Sequence, residues 1–400
     1  MENLPLDLLR RIFELACTDG GYTGNSLSLT SKAIRKASRA TRFHSIFLNA
    51  GPRRLRSFLD LYERECDASF EDKPRIRHLY ASFHVSDLKE SQSDRSRAPP
   101  SSTNRPALSD EFLSDEDDAA IDTSEFDEQL AKALRDMKHF PAVSSPQCAN
   151  QTSSAEYREP ARTLFRLVAP DLWSLVLQVG YNYRAKLAPP ILEDAFPLLR
   201  ELVVVGSTNP RDLFVAGPTN NSTLLPSLVH LHLGTGVNNP TLHLSSWSLV
   251  APTVTHLRIT GTCRLQELEL AVGVVYEPSR IAVHPSPLVS FVQRISRSLA
   301  PHSKTIPPPP TYPSLRYLLI QPDPAPGPVG FCGTPMVEYV EAIEALEEFL
   351  TQCRSAGIQG TLLPPLPDSI ICGKLAAHVK WQWTKRLEGD LGYWDVGEHI

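Results

Sequence analysis

The chain lacks most of the features that carry chemistry or membrane anchoring. Its seven cysteines are an odd number and include no C-x-x-C pair, which argues for reduced intracellular thiols and a cytoplasmic or nuclear protein. No apolar run approaches bilayer length, and no apolar N-terminal segment follows a basic one, so neither secretion nor membrane insertion is expected. There is no Gly-rich phosphate loop, no pair of histidines at metal spacing, no G-x-S-x-G elbow and no Cys and His pairing with a local signature. Cys332, beside Gly333 at a helix start, is in a setting that can lower a thiol pKa. With no base to name beside it, it reads as an incidental or buried cysteine. No catalytic residue, cofactor or metal is expected.

What is present suffices for a sizeable core: 400 residues, 42% of them hydrophobic, suit one elongated architecture with appendages. The net charge of −5 is unevenly spread, since the stretch from Asp110 to Glu128 holds ten acidic residues and no basic one. The remaining residues therefore carry +5, the difference between −5 and −10.

In the first fifty residues Leu4, Leu8, Leu9, Ile12 and Phe13 recur at intervals that stack on one side of a helix, and Pro5 suits its first turn. Gly20, Gly21 and Gly24 then break the chain, and Asn25 or Ser26 can cap a second helix carrying Leu27, Leu29, Ala33, Ile34 and Ala37. LPLDLLRRIF followed by LSLTSKAIRKAS resembles the F-box, a motif that docks on a Skp-type adaptor of cullin-RING ubiquitin ligases. Leu4, Pro5, Leu8, Ile12 and Phe13 fall on the helix-one signature of that family, and Ser31 and Lys32 on its small and basic positions. Ile34 stands where the family usually has an aromatic. The resemblance implies that Leu4, Pro5, Leu8, Leu9, Ile12 and Phe13 contact the adaptor, with Leu27, Leu29 and Ile34 supporting the fold or the same interface. The other reading of this pattern is an amphipathic helix pair packed on the body of the protein.

A repeat organises the middle of the chain. Pro, any residue, an aliphatic, two residues, Leu, one residue and usually a second aliphatic occurs at Pro170–Leu177, Pro197–Val204, Pro226–Leu233, Pro252–Ile259 and Pro313–Ile320, with a weaker copy at Pro74–Ala81. The prolines at 170, 197, 226 and 252 are 27, 29 and 26 residues apart, within the leucine-rich-repeat range of about 20 to 29. Leu-x-aliphatic puts two apolar side chains on one side of a strand. Stacking such strands in parallel buries a continuous core and leaves a curved face for a partner. The outward positions Glu201, Val203, His230, His232, His256 and Arg258 are the expected substrate-binding face. No asparagine ladder accompanies the repeat, so the solenoid is expected to be irregular. Leu265, Leu268 and Leu270 follow too closely for a further unit and suggest a hairpin or short helix.

Residues 85–156 mix Ser, Pro, Arg and acidic residues and read as a mostly disordered insertion. Within it Ser124 to Phe140 has helical spacing, and Ser114, followed by Asp115, Glu116 and Asp117, resembles an acidophilic kinase site. A Pro-rich spacer lies near 300–313, with a helical stripe before it at Leu288, Phe291, Val292, Ile295 and Leu299. Thr334 and Pro335 begin a long helix that stops near Gly357 and is expected to cap the solenoid, and a last helix carries Leu375, Val379, Trp383 and Leu387.

Lys32, Arg35, Lys36, Arg39 and Arg42 form a basic stripe that reads as a solvated face, because the chain is acidic overall and lacks interleaved aromatics. Neither nucleic acid nor membrane is expected as a partner. The organisation expected is α/β: a short all-α F-box-like module (1–50), a connecting helix and first weak repeat (51–84), the insertion (85–156), a leucine-rich-repeat-like solenoid of parallel strands and helices (157–330), and a C-terminal helical cap and tail (331–400). The function expected is a non-catalytic substrate receptor of a cullin-RING ligase, binding a Skp-type adaptor and a protein substrate. The alternative is a repeat scaffold with no ligase link.

Overall fold

Parallel pairing of the Leu-x-aliphatic segments is what builds the molecule. A computed structural model of the chain describes residues 4–49, 51–66, 73–83, 149–179, 192–206, 209–210, 213–214, 223–235, 242–261, 265–276, 309–326, 334–366, 374–390 and 392–394. Ser114 and the rest of the acidic stretch, the helix expected over 124–140, the stripe at 288–299, most of the Pro-rich spacer and Cys332 lie outside the described residues. Apart from the start of one helix, the described residues belong to one compact unit, Met1–Val85 with Ser153–Ile400.

Eight strands form a single all-parallel sheet in chain order: β1 (Ser45–Asn49), β2 (His78–Phe83), β3 (Ser174–Val179), β4 (Glu201–Gly206), β5 (His230–Thr235), β6 (His256–Thr260), β7 (Tyr317–Gln321) and β8 (Gln359–Leu362). This is the arrangement of an α/β solenoid-like fold. Strands β2 to β7 are the ends of the six sequence repeats. Helices α1 (Leu6–Ala16), α2 (Tyr22–Thr30) and α3 (Lys32–Ala37) precede the sheet, and α4 (Pro52–Glu65) connects β1 to β2. Then α5 (Ala149–Val168) precedes β3, α6 (Leu244–Val250) and α7 (Leu265–Val272) lead into β6 and β7, α8 (Thr334–Ser355) leads into β8, and α9 (Lys374–Leu387) follows it. The segment at Leu265–Leu270 is thus the short helix.

Side chains alternate between the two faces of a strand, and each face has its own core. On one side Leu79, Leu175, Leu202, Leu231, Leu257 and Leu318 form a single row across the sheet. They are buried with Leu55 and Leu59 of α4, Leu164 and Phe165 of α5, Trp247 of α6, Leu268 of α7 and Phe349 of α8. Truncating any one of these leucines to alanine is expected to cost about 2–5 kcal/mol. On the other side Tyr80, Val176, Val203, Val205 and Leu319 are buried with Leu363, Leu366, Val379, Trp383 and Trp394.

That second core corrects the expectation of an open binding face. Val203 is 0% exposed, His232 2%, Arg258 3% and Glu201 8%, with only His230 and His256 left half-buried. The physical reason is general: parallel sheets bury both faces, and the residues between the repeat aliphatics include enough valine, leucine and tyrosine to attract a covering layer. Here the layer is α9.

Helix α8 does stop at Gly357, whose φ of +87° only glycine adopts without strain. It does not close the sheet, because Ile358 N–H bonds back to Cys353 O at 3.0 Å and the chain continues into β8, paired with β7. This helix is the return segment of one more strand unit rather than a terminal cap.

The N-terminal fifty residues also differ from two isolated helices. Ser45–Asn49 is the edge strand β1, paired with β2. The second helix is two, broken at Ser31, whose extended backbone (φ −160°, ψ 162°) lets its Oγ accept from Ile34 N–H at 3.2 Å and cap α3. The α2 terminus is served by Asp19, which accepts from Thr23 N–H at 2.9 Å, instead of Asn25 or Ser26. Gly24 is no breaker. It sits inside α2 where a Cβ would fall 2.0 Å from Arg42 O, so only glycine allows this approach.

Candidate docking surface

Helix α1 packs by a narrow strip. Phe13, 5% exposed, is the one fully buried residue within it, followed by Cys17 just past its end, while Leu9 is half-buried. The end of α1 is clamped to the sheet: Ser45 Oγ donates to Cys17 O (2.7 Å), Gly20 N–H donates to Ser45 Oγ (2.9 Å), and Phe47 N–H donates to Gly20 O (2.9 Å). With Phe13 turned inward, the helical period turns Leu4, Leu8, Ile12 and Leu15 outward. Leu8 is 54% and Ile12 51% exposed, and Leu4 and Leu15 are also exposed.

Of the residues expected at the interface, Leu4, Pro5, Leu8 and Ile12 therefore lie on the surface, and Leu29 joins them at 78% exposure. Leu27 and Ile34 are half-buried, and Phe13 belongs to the interior. Sequence reasoning missed Leu6 and Leu15 of α1 and Tyr22 of α2, which are also exposed. For Leu15 the signal was the helical spacing itself, since it lies three residues past Ile12 and seven past Leu8. Large apolar residues left exposed in this way are the kind of surface a partner can cover.

The basic stripe is a solvated face on α3 itself, where Lys32, Arg35 and Lys36 are exposed, but not beyond it, where Arg39 is half-buried and Arg42 buried. Arg35, Arg39 and Arg42 converge on Glu65 of α4 at 3.4, 3.5 and 2.6 Å, and the Arg42 side chain is only 7% exposed. Burial works to raise the Glu65 carboxyl, but the hydrogen bond and charge of Arg42, helped by Arg35 and Arg39, hold it below its usual range. These charges join the helices to α4. Lys32 and Lys36 remain exposed.

Beside α1 lies a groove of ≈ 560 Å³ at the starts of the strands, bounded by Arg11, Glu14 and Leu15 of α1, by His44, Arg77, Trp173 and Arg200, and by Arg386 at the end of α9. Its wall is built by a repeated backbone pattern. The residue before each strand accepts two N–H groups from the next unit: Arg77 O from Trp173 and Ser174, Trp173 O from Arg200 and Glu201, Arg200 O from Val229 and His230. The two variable positions of the repeat, just ahead of its Leu, are thereby stacked in register. Sequence reasoning considered only the second of them.

The histidines of this rim are neutral. Burial, with His44, Arg77 and Arg386 adding to it, holds His78 down to about 3, and burial with His256 and Arg386 does the same for His230. Glu201 is pulled upward by burial and back down by Arg386 at 3.3 Å and by Trp394 Nε1–H, which donates to it at 3.2 Å. These contacts fasten the C-terminal segment to β4. Cys17 and Cys353 are buried, which pushes both thiols up to about 12 and leaves them without nucleophilic character near neutral pH. Among the described residues no three His, Cys, Asp or Glu side chains are grouped to hold a metal ion, and no helix is long and apolar enough to cross a membrane.

No protein-family model, curated protein or solved structure matches the chain.

Proposed function

We propose that the protein is a non-catalytic receptor: its N-terminal helices form an F-box-like module that docks a Skp-type adaptor, and its sheet and helices form a leucine-rich-repeat-like body that carries a protein substrate to a cullin-RING ubiquitin ligase. The observation that supports this most is the orientation of α1, which buries Phe13 and leaves Leu4, Leu8, Ile12 and Leu15 unpartnered. An apolar stripe on a helix is the feature that a helix-binding partner covers. The receptor contributes no bond chemistry. It raises the effective concentration of substrate near the ubiquitin-loaded enzyme.

One observation favours a second reading, a repeat scaffold without a ligase link. The helices pack at the edge of the sheet beside β1 and shield one end of it, as terminal units of repeat proteins do. Co-purification with a Skp-type adaptor separates the two. The native chain is expected to bind, and Leu4→Ala/Pro5→Ala and Ile12→Asp variants, whose positions are exposed, are expected to fold normally and not bind. A native chain that does not bind leaves only the scaffold.

A further inference from the structure

The basic stripe read from the sequence has no aromatic among its charges, but the fold places one in another basic row. The residues just ahead of the strands are held in a ladder by backbone hydrogen bonds: Arg77 O accepts from Trp173 N–H (2.7 Å), Trp173 O from Arg200 (2.9 Å), Arg200 O from Val229 (2.9 Å), Val229 O from Thr255 (3.0 Å) and Thr255 O from Arg316 (2.8 Å). Arg77, Trp173, Arg200 and Arg316 therefore stand in a row along one end of the sheet, with Trp173, Arg200 and Arg316 exposed. From Arg77 to Arg316 is five strand spacings, about 24 Å. The carboxylates beside the row are each held by a different arginine: Glu14 by Arg11 at 3.1 Å, Asp171 by Arg75 at 3.6 Å and Glu201 by Arg386 at 3.3 Å. Among the described residues no carboxylate is paired with Arg77, Arg200 or Arg316. Burial holds His44, His78, His230 and His256 below their ordinary range, so the charge of the row is that of its arginines.

We propose that this row binds a single-stranded nucleic acid, with Arg77, Arg200 and Arg316 on its phosphates and the Trp173 ring against a base. Single-strand sites combine a basic groove that follows the backbone with aromatic rings on which bases stack. Both parts are present: Trp173 is 43% exposed and lies between Arg200 and Arg77, whose guanidinium is 4.2 Å from the ring centroid. Guanidinium forks suit phosphodiesters because they donate two parallel hydrogen bonds. In a duplex the bases pair with each other and none is free to stack on Trp173. The groove is walled by α1 and by the end of α9, so a strand can lie in it while a flat lipid surface meets only its rim. It continues past Arg77 into a hollow of ≈ 200 Å³ lined by Lys73 and Arg75. A row of this length holds a few nucleotides, the short end of the roughly 4–16 typical of single-strand sites. The acidity of the whole chain does not oppose this, because the ten acidic residues of Asp110–Glu128 account for it and the remainder carries +5. Adaptor docking uses the outward residues of α1, so the two proposals stand or fall separately.

The test is fluorescence anisotropy of labelled oligo(U) and oligo(dT) of about eight nucleotides, a length within that range, titrated with the full chain over a series of salt concentrations. A duplex of the same length, oligoglutamate and phosphatidylserine vesicles serve as comparisons. The single strands are expected to bind more tightly than all three, with log affinity falling against log salt at a slope of about −2, that of three phosphate contacts. Arg200→Ala should weaken binding roughly tenfold and make the slope shallower by about 0.7. Trp173→Ala should also weaken it roughly tenfold, and Trp173→Phe, which keeps a ring, much less. Lys36→Ala, on α3, should change nothing. A preference between oligo(U) and oligo(dT) names the nucleic acid and supports the proposal in either direction. No binding at tens of micromolar chain, or binding that Arg200→Ala and Trp173→Ala leave intact, overturns it. Equal affinity for the duplex overturns the stacking role of Trp173, and equal affinity for oligoglutamate or the vesicles overturns the nucleic-acid assignment.

Discussion

Helix α1 and helix α9 carry the same kind of apolar stripe and use it in opposite ways. In α9, Val379 and Trp383 are each 1% exposed and complete a core on the sheet face. In α1, Leu8 and Ile12 are more than half exposed while the adjacent Phe13 alone is fully buried. The difference shows that an i, i+4 stripe states only that a surface has to be covered. Whether the cover is the protein's own sheet or another molecule is decided by where the rest of the chain places the helix. For α9 the place is a parallel sheet with a second apolar face; for α1 it is the edge beside β1, where one residue suffices to anchor it.

The comparison is broken most strongly by emptying the α9 core. Trp383→Ala is expected to cost about 3–5 kcal/mol in urea unfolding, whereas Trp383→Phe should cost much less, because the buried Trp383 Nε1 donor has no hydrogen-bond partner among the described residues. Phe13→Ala should cost about 3 kcal/mol. The neighbouring Ile12→Ala should stay within about 0.5 kcal/mol of the native chain, as surface substitutions do. Equal costs at Phe13 and Ile12 would mean that the outward face of α1 is packed.

Acidification tests the buried polar rim next. His78 and His230 titrate in the folded chain at about 3, far below the unfolded value near 6.5, so the unfolded state takes up protons first as pH falls. Their contribution to stability is complete above about pH 6.5 and is lost between there and about 3. The lowered carboxyl of Glu65 acts in the same direction at lower pH. A drop of roughly 5 °C in Tm between pH 7 and 4.5 is expected, and it should shrink in a His230→Asn variant. A modest effect is expected at the tie between the C-terminal segment and the sheet: Glu201→Gln should lower stability by about 1 kcal/mol and make the segment after α9 more susceptible to limited proteolysis.

Six of the eight strands were legible because each combines a Leu-x-aliphatic pair with a proline five residues upstream of its leucine. Strand β1, SIFLN, has no such prefix. Strand β8, QGTL, places Gly360 where the six repeats have leucine, opposite Leu318, and a Cβ there would meet the end of the Leu350 side chain at 2.8 Å and force it to shift. The spacing of α9 was visible, but its seat on the sheet depends on a face assembled from residues of β2, β3, β4 and β7, far apart in the chain. The groove was hidden for the same reason: Arg77, Trp173 and Arg200 are neighbours only because successive units stack in register.

Hydrogen exchange of the native chain with and without a Skp-type adaptor tests most directly whether α1 is the unpartnered helix. The expected result is new protection confined to Leu6–Ala16 and the adjoining α2, with the amides of α9 unchanged. Exchange in α1 that the adaptor leaves unaltered, at concentrations where Skp-type adaptors bind their receptors, contradicts the account.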